Sequence, residues 1–236
     1  MTSSYSVSRM LILREQNFSD VPENDDWLCD GEREVLAGLR FPKRRNDWRL
    51  GRWTAKKAIS AFLCPSTDTD LSLFEIRAAA DGAPEVFIRN EPARAAISIS
   101  HAGGRSFCAA GTPGTALGCD IEQIEPRGEL LAVDYFTPNE IESVQSAAPE
   151  NKVLIINLIW SAKESVLKAL RDGLRRDTRD VSIKLELSAP DDHENGWRSW
   201  TGACLQSSRE FHGRWREDSR FVYTVTYDFP RLEELK

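Results

Sequence analysis

Apolar and polar side chains alternate in many short segments of this chain, a pattern of period two that is typical of half-buried β-strands. Glycine, proline, asparagine and aspartate mark the turns between several of these segments. The predicted strands are 10–13, 71–77, 85–89, 95–100, 107–110, 115–122, 181–187, 200–206, 209–215 and 221–227.

Apolar residues recur at helical spacing in the intervening parts of the chain. The spacing predicts a helix over 45–62, where Trp48, Ala55 and Ile59 share one apolar face. Thr137, followed by Pro138 and then by Glu140, is a favourable helix start. The remaining predicted helices are 32–40, 130–136 and 151–170, of which the last has the longest helical pattern in the chain.

The order of these elements suggests an internal duplication. A strand, then helical segments, then further strands occur once before about residue 117 and once after it. No repeat of individual residues is visible between the two halves. We therefore predict an α+β fold with two similar lobes, an N-terminal lobe over 1–117 and a C-terminal lobe over 118–236.

Composition and charge exclude several classes of protein. The formal net charge is -6 and the isoelectric point about 5.3, which argues against a general nucleic-acid binder. No apolar run reaches the length of a membrane span, and the first ten residues lack the apolar core of a signal peptide, so we expect a cytoplasmic location. Five cysteines without a C-x-x-C pair and three scattered histidines argue against a zinc site or a disulfide framework.

The candidate chemistry lies in two segments about forty residues apart. In the strand that ends at Glu122, Asp120 and Glu122 point to the same face. In the later helix, Trp160, Glu164 and Lys168 recur every four residues and share one face. Three carboxylates that converge repel one another unless a hard cation lies among them, and Mg²⁺ together with phosphate oxygens fits that requirement.

Five motifs, taken together, resemble those of the 4′-phosphopantetheinyl transferases of the surfactin-synthetase type. They are Gly51-Arg52, Gly82-Ala83-Pro84, Ile99-Ser100-His101, Gly118-Cys119-Asp120-Ile121-Glu122, and Trp160-Ser161-Ala162-Lys163-Glu164 with Lys168. The resemblance implies two α+β lobes related by a pseudo-twofold, with coenzyme A bound between them. It implies Mg²⁺-dependent transfer of the phosphopantetheine arm to a serine of an apo carrier protein, with release of adenosine 3′,5′-bisphosphate.

The resemblance also assigns roles to single residues. Asp120, Glu122 and Glu164 would hold Mg²⁺, and Asp120 would also face the donor. Glu164 would act as the base, and Lys168 would stabilise charge on the phosphate that is transferred. Lys163 is a weaker candidate because it points about 100° away from Glu164 on the helix.

The donor contacts are implied in the same way, and they divide into three groups. Ser100, His101 and the backbone of Ala102 and Gly103 are expected to contact phosphates of coenzyme A. Its 3′-phosphate is expected to contact Arg52 together with Lys43, Arg44 or Arg45. Gly82 to Pro84 would line the adenine pocket. Ala83 stands where some relatives have lysine, so one contact on this side is absent.

Other interpretations of the same residues stay open. The carboxylates alone would also suit a Mg²⁺-dependent hydrolase of a nucleotide pyrophosphate, and the fold would suit a non-catalytic module that binds carrier proteins or coenzyme A. We expect a monomer that binds neither nucleic acid nor membranes. The basic residues Arg175, Arg176 and Arg179 are candidates for contact with an acidic carrier protein, although a solvated loop explains them equally well.

Overall fold

The first lobe contains a five-stranded antiparallel sheet. This computed structural model describes residues 11–65, 69–127, 129–187 and 196–228. The sheet has the order β1-β5-β4-β3-β2, and two helices, α1 and α2, lie between its first two strands in the chain. The bounds are β1 (Leu11–Asn17), α1 (Asp30–Gly38), α2 (Pro42–Leu63), β2 (Phe74–Ala78), β3 (Pro84–Ile88), β4 (Glu91–Ala102) and β5 (Arg105–Gly111).

The second lobe has the corresponding sheet, in the order β6-β10-β9-β8-β7. Its first strand starts at Ala116, two residues before the predicted boundary, which itself stays a prediction. The bounds are β6 (Ala116–Gln123), α3 (Glu129–Tyr135), α4 (Pro138–Ser146), α5 (Lys152–Ala169), β7 (Val181–Leu185), β8 (Arg198–Cys204), β9 (Arg209–Glu217) and β10 (Phe221–Asp228).

Both lobes therefore have the same topology, which confirms the predicted α+β class with two similar lobes. In each lobe the long helix follows the first strand and packs its apolar side against the sheet: α2 packs in the cluster of Ala55, Ile59 and Cys108, and α5 in that of Leu158, Val166 and Trp200. One expectation is wrong. The longest helix among the described residues is α2, with 22 residues, because Pro42 starts it earlier than the pattern indicated, whereas α5 has 18.

The structure also reveals a residue repeat that the sequence analysis did not find. Trp53 opens the sequence Trp-Thr-Ala-Lys in α2, and Trp160 opens Trp-Ser-Ala-Lys in α5. Each indole donates a hydrogen bond to the first strand of its own lobe: Trp53 Nε1 to Gln16 Oε1 at 2.9 Å, and Trp160 Nε1 to Glu122 Oε1 at 2.8 Å. These matching contacts identify the equivalent positions in the two lobes.

The lysines of this repeat are buried in matching ion pairs. Lys56 lies 2.5 Å from Glu32, and Lys163 lies 2.9 Å from Glu140. Each glutamate also accepts a hydrogen bond from the backbone N–H of an isoleucine in the second strand of its lobe, at Ile76 or at Ile183. The pair fastens each long helix to a short helix and to the sheet, so it has a structural role.

Lys163→Ala is expected to destabilise the protein by about 3–5 kcal/mol, because it leaves the Glu140 carboxylate buried without its cation. The Lys163 side chain is 0% exposed, and its ammonium group also donates to the carbonyl of Thr178 at 2.9 Å. Urea unfolding monitored by circular dichroism measures the change. Lys57→Ala is the matched control, since Lys57 is exposed on α2; a loss below about 1 kcal/mol for Lys163→Ala would be evidence against this role.

The two lobes meet along β4 and β6. The Ser98 hydroxyl on β4 accepts a hydrogen bond from the backbone N–H of Cys119 on β6, at 2.9 Å. An apolar cluster that includes Phe107, Ile121 and Tyr223 continues this contact. The interface places the end of β4 directly beside Asp120. None of the helices in the described ranges has the length and apolar character needed to cross a bilayer.

Candidate functional site

Asp120 lies at the centre of the site, where the two lobes meet. One carboxylate oxygen, Oδ1, accepts a hydrogen bond from the Ser100 hydroxyl of the first lobe at 2.7 Å. The same oxygen accepts a hydrogen bond from the Lys168 ammonium at 2.7 Å, and Lys168 also donates to the carbonyl of Cys119 at 3.1 Å. Residues from β4, β6 and α5 therefore converge on one carboxylate, in agreement with the faces predicted for the strand and the helix.

Two acceptor groups beside this cluster have no partner among the residues that the structure describes. The second oxygen of Asp120, Oδ2, is buried and accepts no hydrogen bond, although Asp120 is only 3% exposed. The Glu164 carboxylate, one helical turn before Lys168, has no hydrogen-bond or ion-pair partner among the described residues, although Lys168 acts on it electrostatically. Carboxylate oxygens of this kind are the ligands that Mg²⁺ prefers, so the donor set fits a hard cation.

Neighbouring charges and burial shift the pKa of both Glu164 and Lys168. Burial raises the pKa of the Glu164 carboxyl; Lys168 opposes this effect, whereas Asp120 and Glu122 add to it. Burial alone would lower the pKa of the Lys168 ammonium, but the Asp120 carboxylate outweighs it and raises that pKa. Lys168 is therefore a fixed cation at neutral pH, and a nearby positive charge would favour the ionised form of Glu164.

Glu122 points to the same side of β6 but is held by other groups. Its Oε2 accepts a hydrogen bond from Arg127 at 2.6 Å, and its Oε1 accepts one from the Trp160 indole at 2.8 Å. Burial raises the pKa of Glu122, Asp120 adds to this effect and Arg127 opposes it. Within the described ranges, no three carboxylate, histidine or cysteine side chains are arranged to hold a metal ion together. Glu122 instead contacts Arg127 and Trp160, and its expected role as a metal ligand with Asp120 and Glu164 stays a prediction.

A cavity of about 560 Å³ extends from Lys168 along the interface between the lobes. Gly82 and Pro84 line it, and Val86, Phe87 and Ile97 form part of its apolar wall. Sites for small ligands commonly combine apolar walls with a few polar groups that fix orientation. The structure thus brings the Gly82-Ala83-Pro84 motif and Lys168 to one cavity, as the chain order alone could not show.

A second pocket contains part of the basic segment in the first turn of α2. Lys43, Arg44 and His101 line it together with the ring of Trp48. Arg45 points elsewhere, and its guanidinium donates to the carbonyl of Leu36 at 2.5 Å, at the end of α1. Of the three basic residues at 43–45, Lys43 and Arg44 are therefore the ones placed beside His101.

Arg52 does not line this pocket but contacts Trp48, which does, and its expected contact with the 3′-phosphate stays a prediction. Its guanidinium stacks over Trp48, with 4.9 Å between the guanidinium carbon and the ring centroid, and its Nε lies 3.7 Å from Glu32. Burial lowers the pKa of Arg52, and Glu32 opposes this effect. The buried carboxylate of Glu32 attracts Arg52 inward, toward the ion pair with Lys56.

The turn after His101 packs against the second lobe, and the expected contact of its backbone with phosphates stays a prediction. Gly103 and Gly104 have φ values of 53° and 82°, as in a two-residue hairpin turn between β4 and β5. A Cβ atom on Gly103 would lie 2.7 Å from Gln123 Oε1 and 2.9 Å from the Phe221 ring. Side chains of the second lobe therefore pack closely against this glycine. Ala102 pairs with Arg105 in the same hairpin.

The remaining basic candidates have partners within the chain. Lys163, the weaker candidate for charge stabilisation, lies in the buried ion pair with Glu140 described above. Arg175 donates to the carbonyl of Asp81 at 3.0 Å, Arg176 to Asp172 at 2.6 Å, and Arg179 to Asp177. Contact of these three arginines with a carrier protein stays a prediction.

Two contributors to the site were not found in the sequence. Arg127 follows Pro126 in a segment without helical or strand periodicity, so no pattern indicated its contact with Glu122. Arg171 lies just beyond α5 and forms an ion pair with Asp81 of the first lobe at 2.7 Å. The two residues are 90 positions apart, and only the packing of the lobes brings them together.

Comparisons with known proteins agree with this arrangement. A family model described as the 4′-phosphopantetheinyl transferase superfamily matches residues 116–218, a range that contains Asp120, Glu164 and Lys168. A putative 4′-phosphopantetheinyl transferase of Synechocystis is 24% identical over 75% of this chain and 79% of its own length. The 4′-phosphopantetheinyl transferase HetI of Nostoc is 27% identical over 64% of this chain and 62% of its own.

Among solved structures, a holo-(acyl-carrier-protein) synthase of Bacillus anthracis in complex with coenzyme A (3′,5′-ADP) is similar to part of the chain. The TM-score is 0.37 at 20% identity, and the match covers 43% of this chain and 92% of the other.

Proposed function

We propose that this protein is a 4′-phosphopantetheinyl transferase of the surfactin-synthetase type. It would transfer the phosphopantetheine arm of coenzyme A to a serine hydroxyl of an apo carrier protein and release adenosine 3′,5′-bisphosphate. The observation that carries the proposal is the convergence of Asp120 and Glu164 on Lys168, which lines the cavity between the lobes. The family match over the same residues supports it.

The residues present fit a Mg²⁺ ion. Asp120 would hold it through the buried Oδ2 that has no partner in the described ranges, and Glu164 would be the second protein ligand. Glu122 would either join them after exchanging its partners or stay in contact with Arg127 and Trp160. When bound, the ion would neutralise charge on the pyrophosphate and orient it.

The chemistry requires a base and a fixed cation, and the chain supplies both. The serine oxygen forms a bond to the phosphorus next to the pantetheine arm, and the bond from that phosphorus to the bridging oxygen breaks. Glu164 would accept the serine proton, directly or through a water, since its carboxylate has no partner in the described part of the chain. The Lys168 ammonium, fixed by Asp120 at 2.7 Å, would stabilise negative charge on the phosphate that is transferred or on the leaving group.

The two pockets would bind different parts of coenzyme A. Gly82 and Pro84 would line the adenine side of the larger cavity, whose apolar wall suits a flat heterocycle. Lys43 and Arg44, beside His101, would meet the 3′-phosphate. Ser100 would orient Asp120 by its hydrogen bond, in place of the expected direct contact with the donor.

The assignment of the 3′-phosphate predicts a donor-specific effect. We expect the double variant Lys43→Ala, Arg44→Ala to raise KM for coenzyme A about tenfold or more, because two charged hydrogen-bond donors are lost. KM for 3′-dephospho-coenzyme A should not change, since that donor lacks the group the residues contact. Steady-state kinetics with both donors tests this; an equal rise for both donors would contradict the assignment, and Lys57→Ala is the control for loss of one positive charge on α2.

Intact-mass spectrometry of an apo carrier protein tests the function itself. Incubation with the protein, coenzyme A and Mg²⁺ should add one phosphopantetheine group, about 340 Da, and EDTA should abolish the gain. Coenzyme A cleaved without modification of any carrier would favour the pyrophosphate hydrolase. Tight binding of coenzyme A without either reaction, across several carrier types, would favour the non-catalytic module.

A further inference from the structure

Arg171 has an unusual backbone conformation at the end of α5. Its φ is 60°, in the left-handed region that residues other than glycine rarely adopt. The N–H of Arg171 donates to the carbonyl of Lys168 at 3.0 Å, and that of Asp172 donates to the carbonyl of Leu167 at 3.2 Å. These two bonds form the helix-ending motif whose left-handed position is usually occupied by glycine. An arginine at this position costs conformational energy, which another interaction of the residue must offset.

The side chain of Arg171 supplies that interaction by reaching across to the first lobe. Its Nε lies 2.7 Å from Asp81 Oδ2, and its Nη2 lies 3.1 Å from Asp81 Oδ1 and 2.9 Å from Glu85 Oε1. Such a forked contact fixes geometry as well as charge. Arg175 adds a bond to the backbone carbonyl of Asp81 at 3.0 Å. The hydrogen bond from Arg171 lowers the pKa of the Asp81 carboxyl to about 2, with a further contribution from the Ala83 N–H.

The segment that Arg171 holds forms one wall of the large cavity. Asp81, Gly82, Pro84 and Glu85 all line it, and Lys168 and Arg171 line it from the second lobe. The turn is stiffened by its own bonds, from the N–H of Gly82 to the carbonyl of Ala79 at 2.8 Å and from the N–H of Ala83 to Asp81 Oδ1 at 3.0 Å. A stiff turn that is fastened at one point is positioned as a unit.

We propose that Arg171 is a positioning residue that latches the 81–85 turn of the first lobe to the end of α5, and that this latch sets the affinity for the nucleotide end of the donor. The inference rests on the proposed function, since the nucleotide is the part of coenzyme A that this end of the cavity would receive. Arg171 lies only three residues after Lys168, so the same helix end fixes the cation of the site and the wall of the cavity.

Calorimetric titration with coenzyme A, and separately with adenosine 3′,5′-bisphosphate, tests the latch. We expect Arg171→Gly to raise Kd for both ligands about five- to tenfold, the range expected for loss of a few exposed ion pairs. The Tm should stay within about 2 °C, because glycine relieves the strained φ while the surface ion pairs are lost.

Asp81→Asn should raise Kd in the same way. The Kd of the double variant Arg171→Gly, Asp81→Asn should be no higher than the higher Kd of the two single variants, because the two residues act as one unit. Arg179→Ala is the control, since its guanidinium pairs with Asp177 of its own lobe. If the wild type binds coenzyme A and Arg171→Gly binds it with the same Kd, the latch is overturned. A lower Tm for Arg171→Gly without a change in Kd would also overturn it. A wild-type protein that does not bind coenzyme A would instead overturn the proposed function.

Discussion

Glu164→Gln is expected to lower kcat for carrier modification by about 10²–10⁴-fold, the contribution usual for a positioned general base. Glutamine keeps the size of the side chain but cannot accept the serine proton. It also removes one of the two carboxylates proposed to hold Mg²⁺, so the loss should lie toward the upper end. Initial rates measured by intact mass at saturating coenzyme A and carrier give the ratio.

The same variant should fold as well as the wild type. Burial raises the pKa of Glu164 in the folded protein; Lys168 opposes this effect, while Asp120 and Glu122 add to it. A carboxyl with a raised pKa makes the folded state less stable as the pH rises above the ordinary pKa of glutamate, and the neutral amide avoids that cost at neutral pH. Thermal unfolding in the absence of Mg²⁺ should therefore show a Tm equal to or above that of the wild type.

Lys57 provides the control for this substitution, because it follows Lys56 in α2 as Glu164 follows Lys163 in α5. Lys57→Gln should leave kcat unchanged, since Lys57 is an exposed residue of α2 and is not among the groups that contact Asp120. A Glu164→Gln variant that retains more than about a tenth of the wild-type kcat would remove Glu164 from the role of base, because a positioned base contributes at least about 10²-fold.

The central part of the site was predictable from the sequence because it depends on local geometry. Strand alternation placed Asp120 and Glu122 on one face, and helical spacing placed Glu164 four residues before Lys168. Which groups each side chain contacts was not predictable. Arg127 donates a hydrogen bond to Glu122, and its own segment has no regular periodicity to indicate this contact.

The fold was predictable as a class, but its duplication at the level of residues was not. The sequences that begin at Trp53 and Trp160 share only Trp, Ala and Lys over four positions, a likeness too short to stand out by itself. It becomes evident because each tryptophan bonds to the first strand of its lobe and each following lysine is buried against a glutamate. Contacts between distant residues, such as Arg171 with Asp81, depend on lobe packing and have no signal in local patterns.

Gly118→Ala is expected to destabilise the protein by about 3 kcal/mol or more, a large effect for one methyl group. A Cβ atom at this position would lie 1.8 Å from the carbonyl oxygen of Ser165 and 2.9 Å from the backbone N of Ala169. Both atoms belong to the backbone of α5, so no side-chain rotation relieves the clash and the helix itself must move away from β6. Thermal unfolding should show a Tm lower by about 6–12 °C.

The same substitution should impair catalysis beyond the loss of folded protein. Gly118 lies two residues before Asp120 on the same face of β6, and α5 carries Lys168, whose ammonium lies 2.7 Å from Asp120. Displacing the helix by about 1 Å would separate these groups, and misplacement of that size can reduce rates by about 10²-fold. Activity measured well below the Tm of the variant separates this effect from unfolding.

Gly38→Ala is the control for the added methyl group, because Gly38 is the last residue of α1 and a Cβ atom added there would have no neighbouring atom within 4 Å. It should be neutral or stabilising by up to about 1 kcal/mol, as expected for alanine in place of glycine in a helix. A Gly118→Ala variant with the Tm and kcat of the wild type would mean that α5 can shift without cost. The close approach of α5 to β6 would then not be what holds Lys168 against Asp120.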